Sequence, residues 1–266
     1  MSSGVPDNAV PEADLRHFTQ LAERAALAAA GVIQRFARLG VETEYKADGS
    51  EVTPADRAAE ETIRAIIASA LPDHAVVGEE FGAEGHAEFT WYIDPIDGTK
   101  SFVHGIPLYT TLVALLRGEE ALCGVICNPS SGELMSAFRG GGCRLNGKQT
   151  FVRSCQRISD ALVLTTDPGK LLRDLGEGAG EILQQARMVR TWADGYGYMM
   201  VASGRADAML DPEMSAWDAG PLQICVEEAQ GIITTTDGRR TALLDSAVAA
   251  NRTLHPLLME ALDTAD

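Results

Sequence analysis

The sequence predicts an α/β protein, and three patterns along the chain support that class. Near the N-terminus, apolar residues recur at helical spacing, and a second helix pattern follows a polar turn. Three apolar segments joined by short turns then indicate an antiparallel run of strands. Beyond about Phe151, strand and helix patterns alternate, which is typical of layered α/β folds.

The polar residues 1–11 are predicted to be disordered, and residues 12–266 are predicted to form one domain. A chain of 266 residues is long enough for one large domain or two halves that pack closely. Because no linker or internal repeat separates them, the halves (about 12–150 and 151–266) are expected to share one core.

Charge and composition exclude several classes of function. The chain has 38 acidic and 22 basic residues, a formal net charge of −16, and no basic run that could hold nucleic acid or an anionic membrane. No apolar stretch approaches the roughly 18–20 residues of a membrane span, and the N-terminus has no signal-peptide pattern. The five cysteines lack paired zinc-site spacing. We expect a cytoplasmic protein with reduced, buried thiols.

Two helices open the chain. Apolar residues from Leu15 to Phe36 predict a long amphipathic helix over Pro11–Leu39. After a polar turn, Thr53 is suited to cap a second helix, with Pro54 at its first position and Asp56 in its first turn, where a carboxylate interacts favourably with the helix dipole. This helix is predicted to end before Pro72.

The remaining elements follow from the same patterns. The predicted strands are Ala75–Gly78, Phe89–Ile93, Thr110–Leu116, Ala121–Cys127, Glu133–Phe138, Ala161–Thr165, Met188–Trp192, Ala206–Leu210, Ile232–Thr236 and Ala247–Ala250. The later helices are predicted around Gly178–Ala186 and at Tyr196–Ser203, Trp217–Glu228 and His255–Leu262. The short turns on either side of Ala121–Cys127 predict an antiparallel meander.

Acidic residues cluster where these elements begin or end. Asp56 opens a helix, Glu79 follows a strand, and Asp218 lies near the start of a later helix. The segment Asp94–Thr99 (DPIDGT) follows another strand and combines two carboxylates with a glycine and a hydroxyl. Carboxylate and carbonyl oxygens are the ligands that Mg²⁺ prefers, and helix N-termini bind anions. The pattern therefore predicts a magnesium site beside a phosphate site.

These motifs resemble the signatures of the inositol monophosphatase superfamily over nearly the whole chain. The matching strings are Asp48–Asp56, Gly78-Glu79-Glu80, Asp94–Thr99 and Trp217-Asp218-Ala219-Gly220. The resemblance implies an αβαβα sandwich, a homodimer, and hydrolysis of a small phosphate monoester with two or three Mg²⁺, with Mn²⁺ as a substitute and Li⁺ as an inhibitor. The metal ligands that it implies are Glu79, Asp94, the Ile96 carbonyl, Asp97, Asp218 and, for a weaker third metal, Asp56.

The resemblance also implies roles in catalysis. Asp56 is expected to hydrogen-bond Thr99, and the backbone of Gly98 and Thr99 is expected to hold the phosphate. Thr99 and Glu79 are expected to orient a water molecule and take its proton, while Asp218 assists the departing alkoxide. The chemistry of the residues agrees, because carboxylates this dense need cations, and paired metals can stabilise both attacking and leaving oxygens.

The leaving group is harder to predict. The segments around Lys100, Arg190–Tyr198 and Met209–Asp218 look like those of bacterial histidinol-phosphate phosphatases. That substrate carries an amine and an imidazole, so Asp194 and Glu213, with Asp211 as a weaker candidate, are predicted to bind it. Lys100 is either a substrate contact or a solvated lysine. The alternatives are an inositol-1-phosphate or broad sugar-phosphate phosphatase, a phosphoadenosine-phosphate phosphatase, or a regulatory protein that acts through protein contacts.

Overall fold

Helices and sheets alternate in five layers in the computed structural model, which describes residues 9–40, 42–46, 49, 51–192 and 194–263. The predicted αβαβα sandwich is therefore confirmed. Residues 1–8 of the segment predicted to be disordered lie outside the described ranges, as do Asp48 and Ser50 of the upstream motif. Over the described ranges, no helix has the length and apolar character that crossing a membrane requires.

Seven α-helices occur within the described residues. They are α1 (Glu12–Leu39), α2 (Pro54–Ala70), α3 (Thr99–Val103), α4 (Pro168–Gln185), α5 (Asp194–Ala202), α6 (Ala216–Glu228) and α7 (Leu254–Asp263). The predicted cap of α2 is confirmed: the Ala55 N–H donates to the Thr53 hydroxyl at 3.1 Å, and the Thr53 N–H donates to the Asp56 carboxylate at 2.8 Å. This reciprocal capping satisfies backbone groups that the first helical turn leaves without partners.

The larger sheet has eight strands in the order β10-β9-β8-β7-β6-β5-β3-β4. They are β3 (Ala75–Gly78), β4 (Gly82–Glu84), β5 (Phe89–Asp97), β6 (Thr110–Arg117), β7 (Glu120–Asn128), β8 (Glu133–Phe138), β9 (Gly142–Leu145) and β10 (Lys148–Thr150). Strands β5 to β8 pair antiparallel, as the predicted meander requires, whereas β3 and β5 run parallel. A separate hairpin pairs β1 (Glu44–Tyr45) with β2 (Glu51–Val52).

The smaller sheet has five strands in the order β12-β11-β13-β15-β14. They are β11 (Leu162–Leu164), β12 (Met188–Arg190), β13 (Ala208–Asp211), β14 (Gly231–Thr234) and β15 (Ala247–Asn251). Strand β11 runs parallel to both β12 and β13, while β15 is antiparallel to its two neighbours. The carboxyl ends of β11 and β13 therefore lie at the same edge of this sheet.

The layers are held together by apolar side chains on both faces of the larger sheet. Helices α1 and α2 cover one face, α5 and α6 lie between the sheets, and α4 and α7 cover the outer face of the smaller sheet. Because side chains alternate along a strand, Trp91 and Ile93 of β5 pack towards α1 and α2, whereas Leu112 of β6 packs into the middle layer. Full burial of a side chain such as Ile93 or Leu112 contributes about 1.5–3 kcal/mol.

The structure differs from the predicted elements in three ways. The short strands β1, β2, β4, β9 and β10 were not predicted, because two to four residues give too little alternation to detect. Helix α4 begins at Pro168, whereas the prediction places it only around Gly178–Ala186. Gly176, at φ 60°, kinks the helix, so the part before the kink does not continue the helical pattern of the part after it. Strand β5 continues through Pro95 to Asp97 instead of ending at Ile93, because an irregularity in its pairing with β6 accommodates the proline.

Candidate active site

Parallel pairing of β3 and β5 places Glu79 beside Asp94. Gly78 lies opposite Ile93 in the register, and the Glu79 N–H donates to the Ile93 carbonyl at 3.2 Å. The residues that follow both strands therefore emerge at the same edge of the sheet. Two of the predicted ligands, far apart in sequence, become neighbours through this register.

The end of β5 also fixes the orientation of Asp97. The pairing irregularity between Asp94 and Asp97 turns the chain, and the Thr111 hydroxyl donates to the Pro95 carbonyl at 2.8 Å. The carboxylate of Asp97 accepts hydrogen bonds from the Thr110 hydroxyl at 2.8 Å and from the Gly195 N–H. Asp97 is thus held by donors from both halves of the chain.

The third acid of this cluster comes from the start of α6. The Ser215 N–H donates to the Asp218 carboxylate at 3.2 Å, an arrangement that defines the first turn of the helix. One carboxylate oxygen each from Asp94, Asp97 and Asp218 lies within 4.8 Å of the others. The predicted ligands from β5 and α6 are therefore brought together at a separation that a single cation could bridge.

This cluster is electrostatically unfavourable unless a cation neutralises it. Burial, reinforced by neighbouring carboxylates, raises the pKa of Asp94 and of Asp218 well above the usual value. Burial raises the pKa of Asp97 to about 6, although the Gly195 and Thr110 hydrogen bonds oppose the change. The Oδ1 atoms of Asp56, Asp94 and Asp218 are buried and have no hydrogen-bond partner among the described residues. Unsatisfied carboxylate oxygens in a convergent group are the donor set that a hard divalent cation prefers, so the residues fit Mg²⁺.

Asp56 lies in the first turn of α2 and is fully buried. Its Oδ2 accepts from both the backbone N–H and the hydroxyl of Thr53, while burial raises its pKa to about 6. The predicted hydrogen bond between Asp56 and Thr99 is wrong: the Thr99 hydroxyl donates instead to the Ile96 carbonyl at 2.9 Å, and the second oxygen of Asp56 is unpaired. The reason is local, because the single hydroxyl proton of Thr99 is already donated to a carbonyl three residues earlier in the chain.

Lys46 pairs with the acidic turn after β3. Its ammonium lies 2.7 Å from Oε1 of both Glu79 and Glu80. Although burial opposes the charged form, these two carboxylates raise the pKa of Lys46. Lys46 is not among the site residues predicted from the sequence. It is 33 and 34 residues away from the two glutamates, so no local spacing signals the pairing.

The turn after β5 presents backbone groups to the cleft. Gly98 adopts the left-handed conformation at φ 82°, which favours glycine, and α3 begins at the next residue, Thr99. The first N–H groups of a helix have no acceptor within it, and they point outward along the helix axis. Gly98 and Thr99 therefore line the same cleft as Asp94 and Asp97, and their binding of phosphate stays a prediction.

Two connected cavities extend from the acidic cluster. An outer cleft of about 520 Å³ is lined by Glu79, Asp94, Asp97, Gly98, Thr99 and Asp218, among others. An inner pocket of about 220 Å³ adjoins it and includes Thr166, Tyr198, Asp211, Met214 and Leu222 in its wall. Six residues border both spaces: Asp97, Lys100, Thr166, Asp194, Glu213 and Asp218. The exposed side chain of Lys100 thus stands at the junction of the two cavities.

The inner pocket contains the buried carboxylate of Asp211 and the half-buried carboxylate of Asp194. Asp211 accepts hydrogen bonds from the Tyr198 hydroxyl at 2.9 Å and from the Thr166 N–H at 3.1 Å. Asp194 lies over Gly98, and burial raises the pKa of Asp194 well above its usual value, with Asp97 adding repulsion. Within the described part of the chain, neither Asp194 nor Asp211 forms an ion pair with a lysine or arginine. Burial also raises the pKa of Asp211, and the charge on Lys100 only opposes the rise for Asp194, so both acids would ionise fully only with a cation in the pocket.

Glu213 lies at the rim of the inner pocket, where its side chain is 72% exposed and pairs with Lys170 at 3.0 Å. Neither Lys170 nor Tyr198 is among the site residues predicted from the sequence. Tyr198 is buried, and its hydroxyl donates to Asp211. Its position one turn from Asp194 was a usable signal, since residues four apart share a helix face.

Comparisons with known proteins agree with this geometry. The family model described as the inositol monophosphatase family matches residues 14–266. A histidinol-phosphatase from Chlorobaculum parvum is 37% identical, covering 95% of this chain and 98% of its own length. A fructose-1,6-bisphosphatase/inositol-1-monophosphatase from Aquifex aeolicus is 33% identical over 93% of this chain and 96% of its own. The crystal structure of the extragenic suppressor protein SuhB from Bartonella henselae superimposes with a TM-score of 0.88 at 25% identity, covering 94% of this chain and all of that one.

Proposed function

Since this chain belongs to the inositol monophosphatase family of metal-dependent phosphatases, we propose that it hydrolyses L-histidinol phosphate with Mg²⁺. The observation that carries this choice of substrate is the inner pocket, in which the buried Asp211 and the half-buried Asp194 form no ion pair with a described lysine or arginine. Buried carboxylates that lack a counter-ion favour a ligand that brings one. Histidinol phosphate carries an amine and an imidazole on the side of the molecule opposite its phosphate.

In the proposed complex, the residues divide into two groups. Asp94, Asp97, Asp218 and Glu79, with the Ile96 carbonyl and Asp56, would hold the metal ions in the outer cleft. When bound, Mg²⁺ would act as a Lewis acid on the phosphoryl oxygens and on water. Glu213 and Lys100 would contact the substrate from the rim, and Asp194 and Asp211 from the interior.

The protein's own groups then account for positioning and proton transfer. Backbone N–H groups of Gly98 and Thr99 would bind the phosphoryl oxygens and hold phosphorus in line with the attacking water. The Thr99 hydroxyl already donates its proton to the Ile96 carbonyl, so its lone pairs are free to accept from that water. Glu79 would take the water's proton as general base once the substrate complex separates it from Lys46. Asp218 would assist protonation of the departing alkoxide.

The test is phosphate release with Mg²⁺ from histidinol phosphate, inositol-1-phosphate, fructose bisphosphate and phosphoadenosine phosphate. We expect histidinol phosphate to have the highest kcat/KM. Asp211→Asn should lower kcat/KM for histidinol phosphate by about 10-fold or more, and change that for inositol-1-phosphate little, because it removes a charge that only a cationic leaving group uses. Asp160→Asn, an exposed acid at the opposite end of the smaller sheet, is the matched control.

The second candidate is an inositol-1-phosphate or broad sugar-phosphate phosphatase. The pairing of Glu213 with Lys170 favours it, because that contact leaves a predicted amine-binding acid already neutralised. A tenfold advantage in kcat/KM for inositol-1-phosphate would establish this candidate and exclude the first. The homodimer, the use of Mn²⁺ and the inhibition by Li⁺ remain predictions, which sedimentation analysis and metal titrations of the same assay would test.

A further inference from the structure

Glu60 is a buried acid on α2 that does not line the cleft. It lies one helical turn after Asp56, and none of its surface is exposed. Its Oε2 accepts a hydrogen bond from the Glu80 N–H at 2.8 Å, and its Oε1 accepts from Nε of Arg64 at 2.8 Å. Residues four apart share a helix face, so α2 supplies Asp56 to the cluster and Glu60 to the turn beside it.

The contact between Glu60 and Gly78 is closer than any side chain at position 78 would allow. A Cβ placed on Gly78 would lie 2.0 Å from Oε1 of Glu60 and 2.4 Å from its Cδ. The carboxylate therefore rests directly on the backbone of the last residue of β3. From the opposite side, the Glu79 N–H is held by the Ile93 carbonyl. The backbone on both sides of the Glu79 side chain is thereby fixed.

We propose that Glu60 is a positioning residue that directs Glu79 into the metal-binding cleft. Arg64 neutralises Glu60, so Glu60 is not itself a spare ligand, and its remaining hydrogen-bonding capacity is used on the turn. Strand pairing with β4 and β5 holds Gly78, and Lys46 holds the side chains of Glu79 and Glu80, but the Glu80 N–H would lose its acceptor without Glu60. This inference rests on the proposed metal-dependent function.

The experiment measures Mg²⁺ binding by isothermal titration calorimetry and thermal unfolding, neither of which depends on turnover. Glu60→Gln keeps the shape but has one acceptor oxygen, so its amide must oppose either the Glu80 N–H or Arg64. The control is Glu227→Gln, which alters a buried glutamate that pairs with Arg139 at 2.6 Å and Arg240 at 2.7 Å at the far end of α6. We expect both variants to lose thermal stability, but only Glu60→Gln to bind Mg²⁺ about 10-fold more weakly.

Each outcome has a distinct meaning. If the unmodified protein does not bind Mg²⁺, the proposed function fails. If it binds and Glu60→Gln binds equally well, or if Glu227→Gln weakens binding to the same extent, the positioning role is overturned. Should Glu60→Gln not fold, Glu60→Asp keeps the charge but shortens the side chain, and we again expect weaker binding. Amide exchange of the metal-free, unmodified protein is an independent measure: rapid exchange at Glu80 would overturn the proposal without any variant.

Discussion

Replacing Asp56 by asparagine should stabilise the metal-free protein while weakening its interaction with metal. Asp56 is fully buried, and within the described ranges its Oδ1 has no hydrogen-bond partner. Burial raises its pKa from an ordinary value of 3.8 to about 6, despite the hydrogen bonds from Thr53. Asparagine keeps one oxygen for those two donors and removes the charge. The substitution therefore mimics the protonated acid, which is the form that the folded protein prefers.

The magnitude follows from the raised pKa. Each pKa unit corresponds to about 1.4 kcal/mol, so the ionised carboxylate destabilises the metal-free fold by about 3 kcal/mol above pH 6. Loss of a carboxylate from the first turn of α2 costs about 0.3–1 kcal/mol through the helix dipole. The burial term is the larger, which leaves a net gain of about 2 kcal/mol. In a chain of this size that is a rise in Tm of about 4 °C.

The sign of the pH dependence provides a second check. A carboxyl group whose pKa is raised on folding binds more protons in the folded state, so its contribution to stability is greatest below about pH 4 and is lost as the pH rises to about 6. The gain from Asp56→Asn should therefore be full at pH 7.5 and nearly absent at pH 4. Denaturant unfolding in the presence of a chelator measures both values.

Asp167 provides the control, because it is an exposed acid at the start of a helix. Asp167 caps the start of α4 from an exposed position, and its hydrogen bond from the Lys170 N–H lowers its pKa. Asp167→Asn should destabilise the protein slightly, the opposite sign from Asp56→Asn. If Asp56→Asn lowered the stability of the metal-free protein at pH 7.5, capping rather than burial would dominate at this site, and the electrostatic reasoning would be refuted. Mg²⁺ should also raise Tm less in the variant than in the unmodified protein.

Three further predictions concern the clustered acids, Lys46 and His74. Asp97→Asn or Asp218→Asn should reduce phosphate release by about 10³-fold with an unchanged circular dichroism spectrum, and near-normal turnover would contradict the two-metal mechanism. Lys46→Met removes the ammonium between Glu79 and Glu80, so the metal-free protein should lose about 1 kcal/mol of stability while calorimetry shows tighter Mg²⁺ binding. His74 accepts a hydrogen bond from Trp91 Nε1, and burial lowers the pKa of His74. The contribution of His74 to the free energy of unfolding should therefore be complete above about pH 6.5 and decline below it. Denaturant titrations should show this pH dependence in the unmodified protein and not in His74→Gln.

The success of the sequence prediction depended on how local each feature is. The cap at Thr53, the first turn at Asp56 and the segment Asp94–Thr99 each involve residues within a few positions of one another. Local hydrogen bonds and backbone preferences decide such features, so they can be predicted from sequence. The antiparallel meander was predictable for the same reason, because short turns force adjacent strands to pair.

The remaining features depend on contacts between distant segments. Lys46 pairs with Glu79, Glu60 with the backbone after Gly78, and Tyr198 with Asp211, and none of these pairs follows from spacing alone. The predicted hydrogen bond between Asp56 and Thr99 is wrong because the single hydroxyl proton of Thr99 goes to the Ile96 carbonyl, three residues away in the chain, rather than to a distant partner.

The sequence by itself determined the fold class, the family and the supply of carboxylates for a metal site, since periodicity and short motifs record local chemistry. Only the tertiary structure decided which acids converge, which remain without a counter-ion and which are neutralised. Asp194 and Asp211 line a pocket and form no ion pair among the described residues, whereas Glu213 is exposed and pairs with Lys170. The physical reason is that burial and charge pairing depend on how strands and helices pack across the whole domain, and these two quantities determine what an acidic side chain can bind.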